Sequence, residues 1–247
     1  MGTSVVIHMT PSSLLIAADG RVHTAADKVV EDTCKIRLTR DVAFTNAGLI
    51  RDQFSGFDLA EVAHKSLSSH ASIDDAIQDF ENQVSMFLRR FLPEIKDRFP
   101  AVYHTFDHSA GISVAFARVV DGLPTVHVRS FVATDDPHGA LSIQVTKQDC
   151  TTGCQNFISA LGHFEQVQQY LRAHPAAFGN TIDDAVDMSL KLLKLEATAN
   201  PKEVGPPFAI LSLDSGGSKW IAPGGCVQKT SVESSRLRRT ETPVPKR

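Results

Sequence analysis

Three residues near the start of the chain, Thr3, Asp19 and Lys35, are of the types that together can make a nucleophile. A lone threonine hydroxyl attacks carbonyls poorly and needs a neighbouring base to take its proton. With Thr3 as the first residue of a mature chain, its own α-amine, whose pKa is about 7.7–8.0, is that base at neutral pH. A lysine ammonium at Lys35 favours the alkoxide and tunes the amine, and Asp19 keeps that lysine charged and oriented. Gly48 closes a predicted strand, and an exposed backbone N–H there completes a site for an oxyanion.

Other candidate chemistry is weaker. The spacing Cys150-x-x-x-Cys154 could supply half of a metal site, but no second Cys/His pair stands at a ligand spacing, so two unrelated thiols near a turn is the favoured reading. His104-x-x-x-His108 with Asp107 between falls in a predicted loop after Pro100, and no metal is assigned to it. Asp214-Ser-Gly-Gly-Ser218 lacks the Gly-Lys-Ser/Thr end of a phosphate loop and reads as a hairpin turn. No Gly-x-Ser-x-Gly nucleophile elbow is present. None of these motifs assigns a metal or a cofactor.

The elements that must position these residues follow from apolar spacing. Thr3–Met9 and Leu14–Ala18 read as strands joined by a turn at Pro11–Ser13, so that Asp19 returns near the Thr3 end. Cys34–Leu38 and Asp41–Ala47 read as two more, the second closed by Gly48. Helical spacing follows over 52–68, then from the Ser72 cap to Pro93, with Ile73, Ile77, Phe80, Val84, Phe87, Leu88 and Phe91 on one face. Strands return at Gly111–Val120, Thr125–Ala133 and Leu141–Thr146, with Asp121-Gly122 as a hairpin turn. Helices over His163–Leu171 and Thr181–Ala199 precede a last hairpin of Phe208–Leu213 and Lys219–Ile221. Two antiparallel sheets packed face to face, with a helix pair on each outer side, bury every one of these apolar faces. The expected fold is thus α+β, a four-layer α-β-β-α sandwich spanning residues 1–227, with 228–247 as a disordered tail.

Composition agrees with a folded enzyme-sized unit. The 247 residues are 42% apolar and 21% charged with a formal charge of −3, which excludes a disordered chain and gives no basic footprint for nucleic acid. No apolar run approaches the roughly 18–20 residues of a membrane span, so no membrane partner is expected. Four cysteines are too few for a disulfide scaffold. The start carries no secretory signal and Val6 stands where a myristoylation signal needs Ser or Thr, so the expected location is the cytoplasm.

The set Gly2-Thr3 before an apolar strand, Ala17-Ala18-Asp19-Gly20-Arg21, Cys34-Lys35-Ile36 and Ala47-Gly48 resembles the proteasome β-subunit family of N-terminal-nucleophile (Ntn) hydrolases and its bacterial ring-protease relatives. The spacings from Thr3 to Asp19 and to Lys35 match that family's pattern without a gap, and Arg21 matches its basic residue two beyond the aspartate. The resemblance runs in element order to about Ile221. It implies that a Gly2–Thr3 bond is cut autocatalytically and that Thr3 becomes nucleophile and base. Lys35 depresses the nucleophile's pKa, Asp19 pairs with Lys35, and Gly48 N–H binds the oxyanion. The implied activity is a threonine-type peptidase working through an acyl-enzyme with no metal or cofactor, on peptide or unfolded-protein substrates, in a homo-oligomeric ring; whether any ATPase or activator partners it is not given by the sequence. The chain has no helical extension before the first strand, which fits the β-type rather than the α-type ring subunit.

Two departures stand out. The family's Gly-Ser-Gly-like turn, which supports the threonine amine, aligns with Ser159-Ala160-Leu161-Gly162, so that Ala160 falls at the serine's place, with Ser159 or Thr151-Thr152-Gly153 as alternative sources of a hydroxyl. The family's Asp, followed three residues on by Ser at the end of the fourth helix, aligns with Glu196-Ala197-Thr198-Ala199, which gives Glu196 the acidic part and Thr198 the hydroxyl. Two other readings share the fold: a small-molecule amidase or acylase, and a ring subunit with a decayed site. On the family pattern, Thr45, Asn46 and Ala47 lie near the floor of the cleft, where the small Ala47 implies room for a bulky side chain.

Overall fold

The computed structural model describes residues 3–23, 29–30, 33–52, 55–104, 106, 110–135, 140–151, 157–175 and 181–226. In chain order the elements are β1 (Ser4–Met9), β2 (Leu14–Ala18), β3 (Val22–His23), β4 (Val29–Val30), β5 (Ile36–Thr39), β6 (Val42–Gly48), β7 (Arg51–Asp52) and β8 (Phe57–Asp58). Then come α1 (Leu59–Ser69), α2 (Ile73–Arg98), α3 (Pro100–His104), β9 (Ala110–Val120), β10 (Leu123–Asp135) and β11 (Leu141–Cys150). The chain continues through β12 (Ile158–Gly162), α4 (Glu165–Ala173), α5 (Ile182–Ala199), β13 (Ala209–Asp214) and β14 (Gly217–Ala222).

One five-stranded sheet has the order β12-β1-β2-β13-β14 and the other β11-β10-β9-β6-β5, with every pairing antiparallel. Three apolar layers hold the two sheets and the helices together. Val5, Ile7, Ile16 and Leu211 of the first sheet meet Ala43, Ala47, Ala115 and Ala117 of the second, and these alanines let the sheets approach closely. Beneath α1 and α2, Phe44, Phe80 and Phe116 pack edge-on or tilted, with ring centroids 5.1–5.9 Å apart. Val6, Leu15 and Ala17 face Val167, Leu192 and Leu193 of α4 and α5. Strand β1 is buried on both faces because one face meets the second sheet and the other meets α5. The α-β-β-α sandwich read from the sequence is the fold observed.

Several elements differ from the sequence reading in ways with local causes. The first helix begins at Leu59 rather than 52, because Asp58 Oδ1 accepts the N–H groups of Ala60 and Glu61 as an N-cap, and β7 and β8 form a small ribbon ahead of it. Helix α2 runs past Pro93 to Arg98, since Pro93 lies on the exposed face while buried Leu92 and Ile95 continue the apolar stripe. His104, expected in a loop, closes the short helix α3, and His108 lies outside the described residues. Strand β12 was absent from the sequence reading; five residues of modest apolarity pair with β1 along its whole free edge. The tail from 228 lies outside the described residues.

Candidate active site

The corner where β1 begins is built by register. Val5 pairs with Ala18 across β1 and β2, which sets Asp19 opposite Ser4, one residue beyond the buried Thr3. Ser4 N–H donates to Asp19 Oδ1 at 2.8 Å while Asp19 N–H donates to Ser4 O at 3.1 Å. The carboxylate is thereby clamped to the strand that carries Thr3. Its other oxygen, Oδ2, accepts from Arg21 N–H at 3.1 Å and from Gly205 N–H at 3.4 Å.

Lys35 stands just ahead of β5 in the second sheet and reaches across to the first. Its Nζ lies 2.7 Å from Asp19 Oδ1, and neither side chain has any solvent exposure. A second N–H of Lys35 meets the carbonyl of Arg21, which leaves one of the ammonium's three donors without a partner among the described residues. Burial pushes the lysine below its ordinary value, and the charge and hydrogen bond of Asp19 oppose that shift. Desolvation offsets most of the Coulomb gain of such a pair, so it adds little net stability, while loss of one partner strands a buried charge.

Gly48 ends β6 opposite Ile112 with φ +92, and a Cβ there would stand 2.0 Å from the carbonyl oxygen of Gly111, so no other residue fits this backbone. Gly162 ends β12 in the same manner: with φ +81, its Cβ would stand 2.0 Å from the carbonyl oxygen of Thr3 and 3.1 Å from Ala47 Cβ. Thr3, Gly162 and the Ala47-Gly48 end of β6 therefore converge on one corner, beside the Asp19–Lys35 pair. Close by on β6, Thr45 Oγ1 and Asn46 Nδ2 are buried without a hydrogen-bond partner among the described residues.

The structure assigns Glu196 a different task from the one implied by resemblance. Its Oε1 accepts the N–H groups of Gln166 at 2.7 Å and Val167 at 3.0 Å, and its Oε2 accepts from Asn200 at 3.2 Å. Helix α4 opens at Phe164, which has no side chain able to cap, and Glu196 on α5 supplies that cap from across the layer. Thr198 is similarly committed, donating to Lys194 O on its own helix. Ala160 pairs with Val6 and packs toward the helices, two positions inward from the corner, so the residues beside Thr3 are Gly162 and His163 instead. Ser159 lies opposite Ile7, farther still, Thr151 is exposed, and Thr152 and Gly153 lie outside the described residues.

Arg21 spans from β2 to the turn after α5, bonding Pro201 O and lying against Gly205. The cysteines also depart from the sequence reading. Cys34 and Cys226, 192 residues apart, form a disulfide one residue ahead of Lys35, and Cys150 is disulfide-bonded rather than a free thiol, while Cys154 lies outside the described residues. Among the described residues no cluster of His, Cys, Asp and Glu could hold a metal ion. His163 and Glu203, which meet at 2.9 Å, escaped sequence reasoning. The available signal was a glycine closing a strand directly ahead of the histidine, as Gly48 closes β6.

No family model and no curated protein sequence matches the chain. Among solved structures, the Anbu (Gly-1) mutant from Hyphomicrobium sp. strain MC1 superposes with a TM-score of 0.56 at 15% identity, over 90% of this chain and 88% of that one. The chain has the proteasome-like Ntn-hydrolase fold. The likeness to that protein is one of fold, at low sequence identity.

Proposed function

We propose that the protein is a threonine-type amide hydrolase of the proteasome-like kind, with Thr3 as its N-terminal nucleophile once the Gly2–Thr3 bond is cut. The observation that carries this reading is the fully buried Asp19–Lys35 pair, clamped to Ser4 and set beside Thr3. The Thr3 amine takes the hydroxyl proton as Oγ1 attacks the substrate carbonyl. Lys35, held charged by Asp19, stabilises the forming alkoxide, and Gly48 N–H receives the oxyanion. Collapse breaks the C–N bond, the amine passes its proton to the leaving nitrogen, and an ester to Thr3 remains. Water, deprotonated by the same amine, then splits the ester and frees the acid.

Peptide or unfolded-protein substrates and a homo-oligomeric ring are part of this proposal, with Ala47 leaving room for a bulky side chain. Among the described residues no helix is long and apolar enough to cross a membrane. The Cys34–Cys226 disulfide favours an oxidising environment over the cytoplasm to which the sequence pointed. The test is hydrolysis of a panel of peptide amides by the wild type and by T3A: turnover that T3A lacks supports the reading, and equal turnover by both overturns it.

A further inference from the structure

We propose that His163 and Glu203 form a positioning pair that orients the freed amine of Thr3 toward its own hydroxyl. This rests on the reading of Thr3 as nucleophile. Four observations carry it. First, the β1–β12 register sets Ser4 opposite Gly162, and continuing it by one residue sets Thr3 opposite His163, where His163 N–H donates to Thr3 O at 2.7 Å. In an antiparallel pair of this hydrogen-bonded kind, each residue turns both its nitrogen and its carbonyl toward the other, so the Thr3 nitrogen lies on the His163 side of the strand. Second, His163 Nε2 meets Glu203 Oε2 at 2.9 Å. A carboxylate partner there makes Nε2 the N–H and leaves Nδ1, the ring nitrogen nearer the backbone, as an acceptor.

Third, the turn that holds Glu203 is fastened to the same machinery. Glu203 N–H bonds Asn200 O, Gly205 N–H donates to Asp19 Oδ2, Gly20 N–H donates to Gly205 O, and Arg21 bonds Pro201 O. The contacts close a ring that runs from Thr3 through His163, Glu203, Gly205 and Asp19 to Ser4 and back to Thr3. Fourth, no hydroxyl from Ser159 or Thr198 stands in this place, because Ser159 lies inward along β12 and Thr198 bonds its own helix, and Ala160 has no hydroxyl.

An amine oriented in this way donates one N–H to Nδ1 of His163 and presents its lone pair to Oγ1. Without that bond the lone pair of the amine is less often aimed at Oγ1 and the attacking geometry is less often met, a loss on the order of 100-fold. The pair moves no proton in the reaction; it sets the direction of the group that does.

Two measurements test this. Steady-state hydrolysis of a peptide amide is compared for wild type, H163A, H163N, H163Q and E203Q, all verified by mass to begin at Thr3. The expected result is a kcat about 100-fold lower in H163A with KM within twofold. H163N, which keeps an acceptor near Nδ1, recovers part of the loss, and H163Q recovers less. E203Q falls between wild type and H163A. A kcat for H163A within twofold of wild type, or equal losses in H163A and H163N, overturns the pairing. The second measurement needs no turnover: the imidazole 15N shifts of His163 are recorded in a chain beginning at Thr3 and in one retaining Met1-Gly2. A change at Nδ1 on freeing the amine is expected, and identical spectra overturn the pairing. Absent turnover together with a changed Nδ1 signal would tell against the hydrolase reading and leave the pairing standing.

Discussion

Lys35 Nζ and Asp19 Oδ1 lie 2.7 Å apart with neither side chain exposed, and the two residues adjoin strands of different sheets, Asp19 after β2 and Lys35 before β5. A cation is thus fixed at the end of β1 by a carboxylate that also holds Ser4 N–H, so displacing either residue displaces the corner at which Thr3 stands. Removing one partner while leaving the other buried costs roughly 3–5 kcal/mol. K35M is expected to melt at lower temperature and to lose at least about 100-fold in kcat, a loss of the size seen when one donor to a developing oxyanion is removed. Circular dichroism melts and single-turnover rates on the same samples separate the two effects.

The pH dependence follows from the same pair. Lys35 is held below its ordinary lysine value of 10.5, chiefly by burial and against the pull of Asp19. Activity that needs the ammonium is therefore present at lower pH and lost on an alkaline limb below 10.5. Taking away the Asp19 charge removes the opposing pull, so the limb of D19N moves to still lower pH. For stability the sign is the reverse of a raised lysine: the unfolded chain binds more protons between the folded value and 10.5, and stability rises with pH across that window. K35M flattens that slope. Rate profiles and urea midpoints at several pH values check both signs.

Glu196 acts on stability. With both N–H groups of the α4 opening left unmet, E196A is expected to cost about 1–3 kcal/mol. Its kcat/KM stays within about twofold of wild type, because the carboxylate is committed to Gln166, Val167 and Asn200. Thermal melts beside steady-state rates test this, and a large rate loss without a stability loss would return Glu196 to the site.

At Gly162 the backbone has φ +81 and no room for a Cβ, which would meet Thr3 O at 2.0 Å. G162A thus has to push β12 from β1 at the nucleophile itself. The expected outcome is a kcat loss on the order of 100-fold with a modest fall in melting temperature. G122A is the control: its Cβ meets open space in the hairpin between β9 and β10, and its rate stays at the wild-type value.

The Cys34–Cys226 link closes a loop of 192 residues and ends one residue from Lys35. In the chain-entropy account a loop this long is worth about 5 kcal/mol at most. Reduction, or C226S, is expected to lower both the melting temperature and kcat. Thiol titration before and after reductant, on samples assayed in parallel, shows whether the rate follows the bond.

Much of this was legible in the chain. Short, nearly continuous apolar runs in Val5–Met9 and Leu14–Ala18 mark strands buried on both faces, and helical spacing from Ile73 to Phe91 marks a helix by the period that burial of one face imposes. The spacing of Thr3, Asp19 and Lys35 located the two residues that the structure joins. What escaped depends on contacts between distant segments. Strand β12 holds only Ile158 and Leu161 as strong apolar residues, and its identity comes from the β1 edge it completes. Glu196 carries no local sign that it caps a helix whose first residue is 31 positions earlier in the chain, at Glu165. Cys34 and Cys226 pair through tertiary folding alone, and His163 meets Glu203 only because β12 and the turn after α5 reach the same corner.

The central claim is that Thr3 works through a free α-amine, and the intact mass of purified, active protein tests it most directly. The account predicts a wild-type mass that begins at Thr3 and hydrolyses peptide amides, and a T3A mass that keeps the preceding residues and hydrolyses none. Hydrolysis by a chain that still carries Gly2 would contradict it.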